Sequence, residues 1–283
     1  MTIANFVSWL TARLETLYDA AEARSVATIF VCDELNLSRT QMYLQNDNDL
    51  DKCTADKLML KSERLQNGEP VQYVTGVASF CGLNFKVDPN VLIPRQETEM
   101  LVEAVCEHAK SLKQVNILDV GCGSGCISVC IKKFLPNASV FSIDISDGAL
   151  DIAGSNAKLN DTEVSFAKYD ILSESGFPFS EKFDIVVSNP PYVCNKEKAL
   201  MHRNVLEYEP ALALFVEDSD PLLFYRSILK FIKRHQPNYT TSVFFEINEM
   251  FGQEMQKLCN SYGCNTDVLK DLNGKDRFVK LYF

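Results

Sequence analysis

The apolar positions of the first 68 residues recur at the spacing of an α-helix. One stripe consists of Phe6, Leu10, Leu14 and Leu17, and it predicts a first helix. A second helix is predicted over residues 19–34, a short one near 41–44, and another from an N-cap at Thr54 to Asn67-Gly68. We therefore predict a small all-helical domain over residues 1–68.

The pattern changes to alternation after Glu69-Pro70, which prevents continuation of the last helix. Four apolar residues then alternate with other residues around Cys81-Gly82: Phe80, Leu83, Phe85 and Val87. Such alternation around a glycine turn is typical of a β-hairpin. Residues 69–95 are therefore predicted to be a β-hairpin connector between two domains.

Extended and helical patterns alternate over the rest of the chain. The extended segments are 115–120, 139–143, 164–169, 183–188, 241–247 and 278–283. The helical segments are 124–134, 148–159, 222–231 and 252–262. Strands that alternate with helices predict a parallel, doubly wound sheet. The predicted fold class is α/β, with a Rossmann-like domain over residues 96–283 that follows the helical domain and the hairpin.

Composition limits the classes of partner. Asp and Glu number 38 against 28 Lys and Arg, so the formal net charge is −10. Nucleic-acid binding depends on Lys and Arg that neutralise phosphates. We therefore expect no stable nucleic-acid binding, and the acidic surface favours a basic protein partner.

Cysteine usage and hydropathy indicate the compartment. No apolar run approaches the ~20 residues of a membrane-spanning helix, and the first residues lack the blocks of a secretory signal. Ten cysteines without such a signal indicate free thiols in the cytoplasm. The spacing of Cys122, Cys126 and Cys130 suits small buried side chains, so we expect no metal site. We expect no membrane association, and a monomer.

A glycine-rich turn directly follows the first strand of the α/β region. It reads Gly121-Cys122-Gly123-Ser124-Gly125, and glycines let a backbone approach a ligand closely, while the helix start that follows offers unpaired N–H donors. Asp144 ends the next predicted strand, at about the 20-residue offset of an acid that binds ribose hydroxyls. A nucleoside ligand bound by Gly121, Cys122, Gly123, Ser124, Gly125 and Asp144 is therefore predicted.

The spacing of the glycines indicates which nucleoside. G-x-G-x-G differs from the G-x-G-x-x-G of dinucleotide enzymes and resembles the loop of S-adenosylmethionine-dependent methyltransferases. We therefore predict S-adenosylmethionine as the cofactor. Asp170, at the end of the third predicted strand, is placed to bind the adenine amino group.

A second motif, Asn189-Pro190-Pro191-Tyr192, follows the strand predicted over residues 183–188, where ligands bind in open α/β sheets. The prolines leave carbonyl acceptors without N–H donors, and Asn189 adds a side-chain acceptor. An amide NH2 group would donate to Asn189 and to the Pro190 carbonyl, with the Tyr192 ring packed against it. Because an amide nitrogen is a poor nucleophile, these residues must act by positioning and by accepting hydrogen bonds.

Along almost its whole length the chain resembles the bacterial protein-(glutamine) methyltransferases that modify peptide chain release factors. Besides the two motifs, the resemblance is carried by Gly68-Glu69-Pro70-Val71-Gln72-Tyr73, Leu92-Ile93-Pro94-Arg95-Gln96-Glu97-Thr98-Glu99, Glu207-Tyr208-Glu209-Pro210 and Asp271-Leu272-Asn273-Gly274-Lys275-Asp276-Arg277.

The resemblance implies a substrate, the glutamine of the Gly-Gly-Gln loop of release factors. It implies that the glycine loop, Asp144 and the residues from Asn189 to Tyr192 bind the cofactor and the glutamine. The family often has an aromatic cofactor contact where this chain has Ile171, and a glycine where it has Asn248. We expect Asn248 to lie away from the acceptor pocket, and the helical domain to help recognise the protein substrate.

Three alternatives stay open on the sequence. A sister family methylates a glutamine of a ribosomal protein, although segment 93–99 resembles the release-factor branch more closely. Exocyclic amines of nucleic-acid bases suit the same Asn-Pro-Pro-Tyr geometry, but such enzymes must hold phosphates and extract a base from its stack. The third is a non-catalytic protein that binds the cofactor and docks on a partner.

Overall fold

The computed structural model describes all 283 residues. The α-helices are α1 (Ile3–Leu14), α2 (Ala20–Leu35), α3 (Arg39–Leu44), α4 (Lys52–Gln66), α5 (Val71–Thr75), α6 (Gln96–Ala109), α7 (Cys126–Phe134), α8 (Asp147–Leu159), α9 (Arg203–Tyr208), α10 (Ala211–Leu214), α11 (Leu223–His235) and α12 (Gly252–Ser261). The strands are β1 (Val77–Phe80), β2 (Leu83–Lys86), β3 (Asn116–Val120), β4 (Ser139–Asp144), β5 (Ser165–Lys168), β6 (Ile185–Ser188), β7 (Val193–Cys194), β8 (Phe215–Val216), β9 (Ser242–Glu246), β10 (Asn265–Lys270) and β11 (Asp276–Tyr282).

The chain divides into two compact units. The first contains Met1–Val77 and His202–Tyr208, and the second contains Ala78–Met201 and Glu209–Phe283. No helix is both long enough and apolar enough to cross a bilayer.

The first unit consists of α1 to α5 and α9, around a core that includes Phe6, Leu10 and Phe30. The start of α4 differs from the prediction: Asp51 is the N-cap, and its side chain accepts from the Thr54 backbone N–H at 3.0 Å. Leu17 also differs from the prediction, because α1 ends before it and its side chain is 42% exposed. The sequence contains no signal for the return of α9 to this unit, where the Tyr208 hydroxyl donates to the Asn67 carbonyl at 3.1 Å.

The predicted hairpin is present as β1 and β2, and its turn residues Cys81 and Gly82 have φ of 50° and 74°. The hairpin is fastened to α8 by one buried amide. The Asn156 side chain accepts from the Lys86 N–H at 2.6 Å and donates to the Lys86 carbonyl at 2.9 Å. This hydrogen-bonded pair fixes the hairpin as a part of the second unit.

A seven-stranded sheet has the order β10-β11-β9-β6-β3-β4-β5. The five strands β9, β6, β3, β4 and β5 are parallel, as predicted. The last strand is not, because β11 pairs antiparallel with both β9 and the unpredicted β10. The tight turn at Asn273-Gly274, where Gly274 has φ 76°, leaves no room for a crossover helix, so the chain must return antiparallel.

Both faces of the sheet are covered. Along β3, Ile117 belongs to the core cluster that includes α6 and α7, whereas Leu118 belongs to the cluster that includes α11 and α12. Alternate side chains of a strand point to opposite faces, so the sheet is doubly wound. The chain runs from β3 outward to β5 and then returns to β6 on the other side of β3. Ligands of open α/β sheets bind at such a reversal.

Candidate active site

A cavity of about 350 Å³ opens beyond the carboxyl ends of β3, β4 and β6, a size typical of a small-ligand site. Ten of the residues predicted from the sequence line it: Gly121, Cys122, Gly123, Ser124, Asp144, Asp170, Ile171, Asn189, Pro190 and Pro191. Two predicted residues, Gly125 and Tyr192, are not part of its wall.

The glycine loop is held against the neighbouring strand by its own backbone. The N–H groups of Gly121 and Cys122 donate to the Ile143 carbonyl at 2.9 and 3.1 Å. Gly121 and Gly123 have φ of 75° and 52°, a region that side chains disfavour. The loop therefore presents bare backbone to the cavity.

Gly125 has a packing role, and its predicted contact with the cofactor stays a prediction. Its φ is 76°, and a Cβ there would lie 3.0 Å from the Ala153 Cβ on α8. Its N–H is already bonded to the Cys122 carbonyl at 2.8 Å. The glycine thus permits close packing between the start of α7 and α8.

Asp144 connects the loop to the next turn. Its carboxylate accepts from the Gly123 N–H at 2.9 Å with one oxygen and from the Ser146 N–H at 2.9 Å with the other. Burial raises the pKa of Asp144, and these backbone N–H groups lower it. Each carboxylate oxygen accepts more than one hydrogen bond, so the group stays available to a ligand in the cavity.

Asp170 and Ile171 form the wall beyond β5. The Asp170 side chain accepts from the Leu172 N–H at 2.9 Å, an Asx-turn that fixes the carboxylate. Ile171 packs against the core cluster of α11 and α12 and contributes an apolar surface to the cavity.

The Asn189 amide is oriented by a buried threonine. Its Nδ2 donates to Thr98 Oγ1 at 3.2 Å, which turns the carbonyl oxygen away from that contact. The strand end just before it is anchored by Ser188, whose hydroxyl donates to the Val120 carbonyl at 2.6 Å. Pro190, which follows, is buried.

Tyr192 is not part of the cavity wall, and the packing of its ring against the acceptor stays a prediction. Its ring lies against the core cluster of α11 and α12, and its hydroxyl donates to Glu246 Oε1 at 3.0 Å. Burial and the neighbouring Glu246 charge raise the pKa of Tyr192 well above its ordinary value. This hydrogen bond therefore anchors the end of the Asn-Pro-Pro-Tyr motif to β9.

Asn248 is not part of the cavity wall, but it contacts the segment that follows the predicted acceptor residues. Its Nδ2 donates to the Tyr192 carbonyl at 3.3 Å and to both carboxylate oxygens of Glu197 at 3.1 Å. Glu197 also accepts from the Cys194 N–H at 2.8 Å. The asparagine thus holds the end of the Asn-Pro-Pro-Tyr segment next to the site, because the fold brings the end of β9 beside that of β6.

The sequence analysis assigned no role to an ion pair between Arg95, which lines the cavity, and the buried Glu209. Arg95 donates to Glu209 Oε1 at 2.6 Å, and the Ile93 N–H donates to the other oxygen at 3.1 Å. Pro94 and Pro210, the neighbours of this pair, line the cavity. The only signal was the occurrence of both segments in the family resemblance, since the two residues lie 114 positions apart.

A buried acid lies on β3 beneath the glycine loop. Asp119 is fully buried, and neither carboxyl oxygen has a hydrogen-bond partner. Burial raises the pKa of Asp119 to about 7, with smaller contributions from Ser128, which lowers it, and from the Asp144 charge, which raises it. The ligand-free fold therefore holds a carboxyl group that is costly to ionise.

We expect Asp119→Asn to change how the stability of the ligand-free protein depends on pH. The folded state holds its proton up to about pH 7 and the unfolded state only to 3.8, so wild-type stability falls across that interval as pH rises. The difference corresponds to roughly 4 kcal/mol at most. Denaturant unfolding at pH 5 and pH 8 should show Asp119→Asn gaining on wild type at the higher pH, with the exposed Asp267→Asn as control. Parallel pH profiles for wild type and Asp119→Asn would contradict this account.

Comparison with known proteins agrees with this architecture. The family model of the methyltransferase small domain matches residues 95–214, and that of the PrmC N-terminal domain matches residues 6–76. A release factor glutamine methyltransferase of Flavobacterium psychrophilum is 43% identical over 100% of both chains. One of Bacteroides thetaiotaomicron is 40% identical over 96% of this chain and 97% of its own. With the cavity at the sheet reversal, these matches show that the chain belongs to the release factor glutamine methyltransferases, a family of S-adenosylmethionine-dependent enzymes.

Proposed function

We propose that this enzyme transfers a methyl group from S-adenosylmethionine to the side-chain nitrogen of a release-factor glutamine, the one in the Gly-Gly-Gln loop. The observation that carries the proposal is the orientation of Asn189, whose NH2 group is bound by Thr98 so that its carbonyl oxygen is left as an acceptor. The printed function of relatives that match the full chain supports the same substrate.

The residues present fit the cofactor. Bare backbone at Gly121 and Gly123 allows close approach of a ligand, and Asp144 can accept from ribose hydroxyls. Asp170 offers an acceptor to an amino group, and Ile171 an apolar surface to an adenine ring. Bound S-adenosylmethionine supplies an electrophilic methyl group on a sulfonium.

The task of the protein is to hold the amide nitrogen. The Asn189 carbonyl oxygen and the Pro190 backbone carbonyl accept the two amide hydrogens, which directs the nitrogen lone pair into the cavity. The same two acceptors stabilise the positive charge that develops on the nitrogen. No histidine lines the cavity, and the arrangement needs no base before methyl transfer. The methylated nitrogen then releases one of its two amide hydrogens to solvent as a proton.

Mass spectrometry tests the proposal. The purified enzyme and S-adenosylmethionine are incubated with an unmodified release factor, and with a variant in which the Gly-Gly-Gln glutamine is alanine. We expect a gain of one methyl group on that glutamine and none in the variant. No gain on the folded, unmodified factor would reject the proposed substrate; ribosomal protein and then nucleic acid would be tested next.

We further propose that the helical unit recognises the release factor, and that the enzyme acts in the cytoplasm as a monomer. Side chains on α3 and α4 support the first point, because Tyr43, Leu44 and Leu60 are 73%, 78% and 68% exposed. Exposed apolar side chains can be buried against a protein partner, which favours binding. Ten free cysteines are in keeping with a reducing compartment.

Charged substitutions on this helical surface should weaken protein recognition only. For Leu44→Asp and Leu60→Asp we expect the KM for the whole release factor to rise about tenfold, because each substitution removes an apolar contact that is buried in the complex. A short peptide that spans the glutamine is the control, and its kinetics and the KM for the cofactor should stay unchanged. Equal effects on factor and peptide would remove the helical unit from substrate recognition.

A further inference from the structure

We propose that Thr98 and Glu246 are positioning residues, which set the direction of the Asn189 amide and thereby create the acceptor for the substrate nitrogen. The inference rests on the proposed function and deepens it. It assigns a role to a buried carboxylate that the predicted site did not include.

The orientation of Asn189 begins with Glu246, which is hydrogen-bonded to Thr98 and Tyr192. It lies at the end of β9 and is 1% exposed. Its two carboxylate oxygens accept from two different hydroxyls, Thr98 Oγ1 at 2.7 Å and Tyr192 OH at 3.0 Å. Both hydroxyls are the donors in these two hydrogen bonds, so both hydroxyl protons point toward Glu246.

The orientation of the Thr98 hydroxyl determines the orientation of the Asn189 amide. The Thr98 hydroxyl has one proton, and once that proton is given to Glu246 the oxygen has only lone pairs left to offer. Its remaining neighbour is the Asn189 side chain, 3.2 Å away. Only the NH2 end of that amide can donate to it. The carbonyl end is therefore turned toward the opposite side, where an acceptor is required.

The pKa of Glu246 is raised on balance, and burial is the largest cause. Burial raises the pKa of Glu246, and the hydrogen bonds from Thr98 and Tyr192 and the positive charge of Arg277 lower it, while the charge of Glu97 raises it. Tyr225, packed against the same residue, donates to the Glu246 backbone carbonyl at 2.9 Å and does not compete for the carboxylate. The pair of donated hydroxyl bonds is thus a fixed part of the site.

Three substitutions of Thr98 separate direction from packing. Thr98→Val keeps the branched shape and loses the hydroxyl, Thr98→Ser keeps the hydroxyl and loses the methyl group, and Thr98→Ala loses both. Thr98 is only 2% exposed, so a packing role predicts that valine is tolerated best. The positioning role predicts the opposite order.

We expect Thr98→Ser to retain kcat within about threefold, and Thr98→Val and Thr98→Ala to lose between about ten- and a hundredfold, since misplacement of a reacting group costs that much. Thermal unfolding and calorimetric binding of S-adenosylmethionine are measured on every variant, and cofactor Kd should stay within about threefold of wild type. If Thr98→Val does not fold, Thr98→Ser and Thr98→Ala still decide, because they differ by one oxygen atom. Valine or alanine activity equal to or above that of serine would overturn the proposal.

A binding measurement keeps this inference distinct from the proposed reaction. Affinity of a glutamine-containing release-factor peptide is measured for the enzyme saturated with S-adenosylhomocysteine, in which no methyl transfer occurs. We expect Thr98→Val to weaken peptide binding about tenfold and Thr98→Ser to leave it unchanged, because only the former loses the oriented acceptor. Equal peptide affinity in both variants would reject the positioning role, whereas normal peptide binding by wild type without methylation would reject the proposed function alone.

Discussion

Asn189→Ala should abolish methyl transfer and leave cofactor binding intact. The substitution removes the one side-chain acceptor of the Asn-Pro-Pro-Tyr motif that lines the cavity. Loss of a single oriented group that stabilises developing charge costs about a hundredfold or more in kcat. The Pro190 carbonyl remains, but one acceptor cannot fix both hydrogens of an amide.

The neighbourhood of Asn189 predicts a folded variant. Its side chain is only partly buried and makes one hydrogen bond, to Thr98. Removing it leaves Thr98 still bonded to Glu246 at 2.7 Å. We therefore expect at most a small loss of stability, on the order of 1 kcal/mol.

The measurement is single-turnover methylation of a release factor at saturating cofactor, beside calorimetry of S-adenosylmethionine binding. Asn265→Ala, an exposed asparagine on the edge strand β10, is the matched control and should behave as wild type. A kcat within threefold of wild type for Asn189→Ala would remove this residue from the reaction. A lost cofactor affinity would assign it to cofactor binding instead.

Much of the fold could be predicted because its signals are local. Each signal spans only a few residues. The signals are the apolar strand β3 before the glycine loop, Asp144 at the end of β4, and the two prolines after β6. The hairpin turn at Cys81-Gly82 is equally local, since positive φ at both positions matches the twist of a two-residue turn. From these features we predicted the five parallel strands of the sheet and the position of the cavity.

What the sequence did not reveal depends on residues that are distant along the chain. Thr98 and Glu246, which orient Asn189, are 148 positions apart. Thr98 lies in the segment 92–99 that carries the resemblance, but no local pattern pairs it with Glu246. The partner of Tyr192 is equally distant, because its hydroxyl donates to Glu246, 54 positions away. The antiparallel β11 was mistaken for a parallel strand because a single strand's pattern does not encode its direction.

Asn248 has a more general lesson. It is not part of the cavity wall, but the parallel pairing of β6 with β9 brings it to the Tyr192 carbonyl, 3.3 Å away. Strand ends at the reversal of a doubly wound sheet all face one cavity. Departures from a family pattern just after any central strand should therefore be examined for contacts with the site.

Asp144→Ala should weaken S-adenosylmethionine binding about a hundredfold. The carboxylate lines the cavity, and it also holds the Gly123 and Ser146 N–H groups at 2.9 Å each. Hydrogen bonds to a charged group are worth roughly 1.5–3 kcal/mol each, so losing two ribose contacts alone accounts for this factor. Release of the glycine loop adds to the loss.

Asp147→Ala is the matched control, three positions further along the chain. Its side chain is 74% exposed and pairs with Lys168 at 2.5 Å outside the cavity, and an exposed ion pair contributes little to stability. Calorimetric titration of both variants with S-adenosylmethionine and with S-adenosylhomocysteine gives the affinities without any turnover. Because both ligands have the same ribose, we expect Asp144→Ala to weaken both equally and Asp147→Ala to weaken neither. An effect on S-adenosylmethionine alone would mean that Asp144 acts on the positive sulfonium through its charge, and the assignment to the ribose would then be wrong.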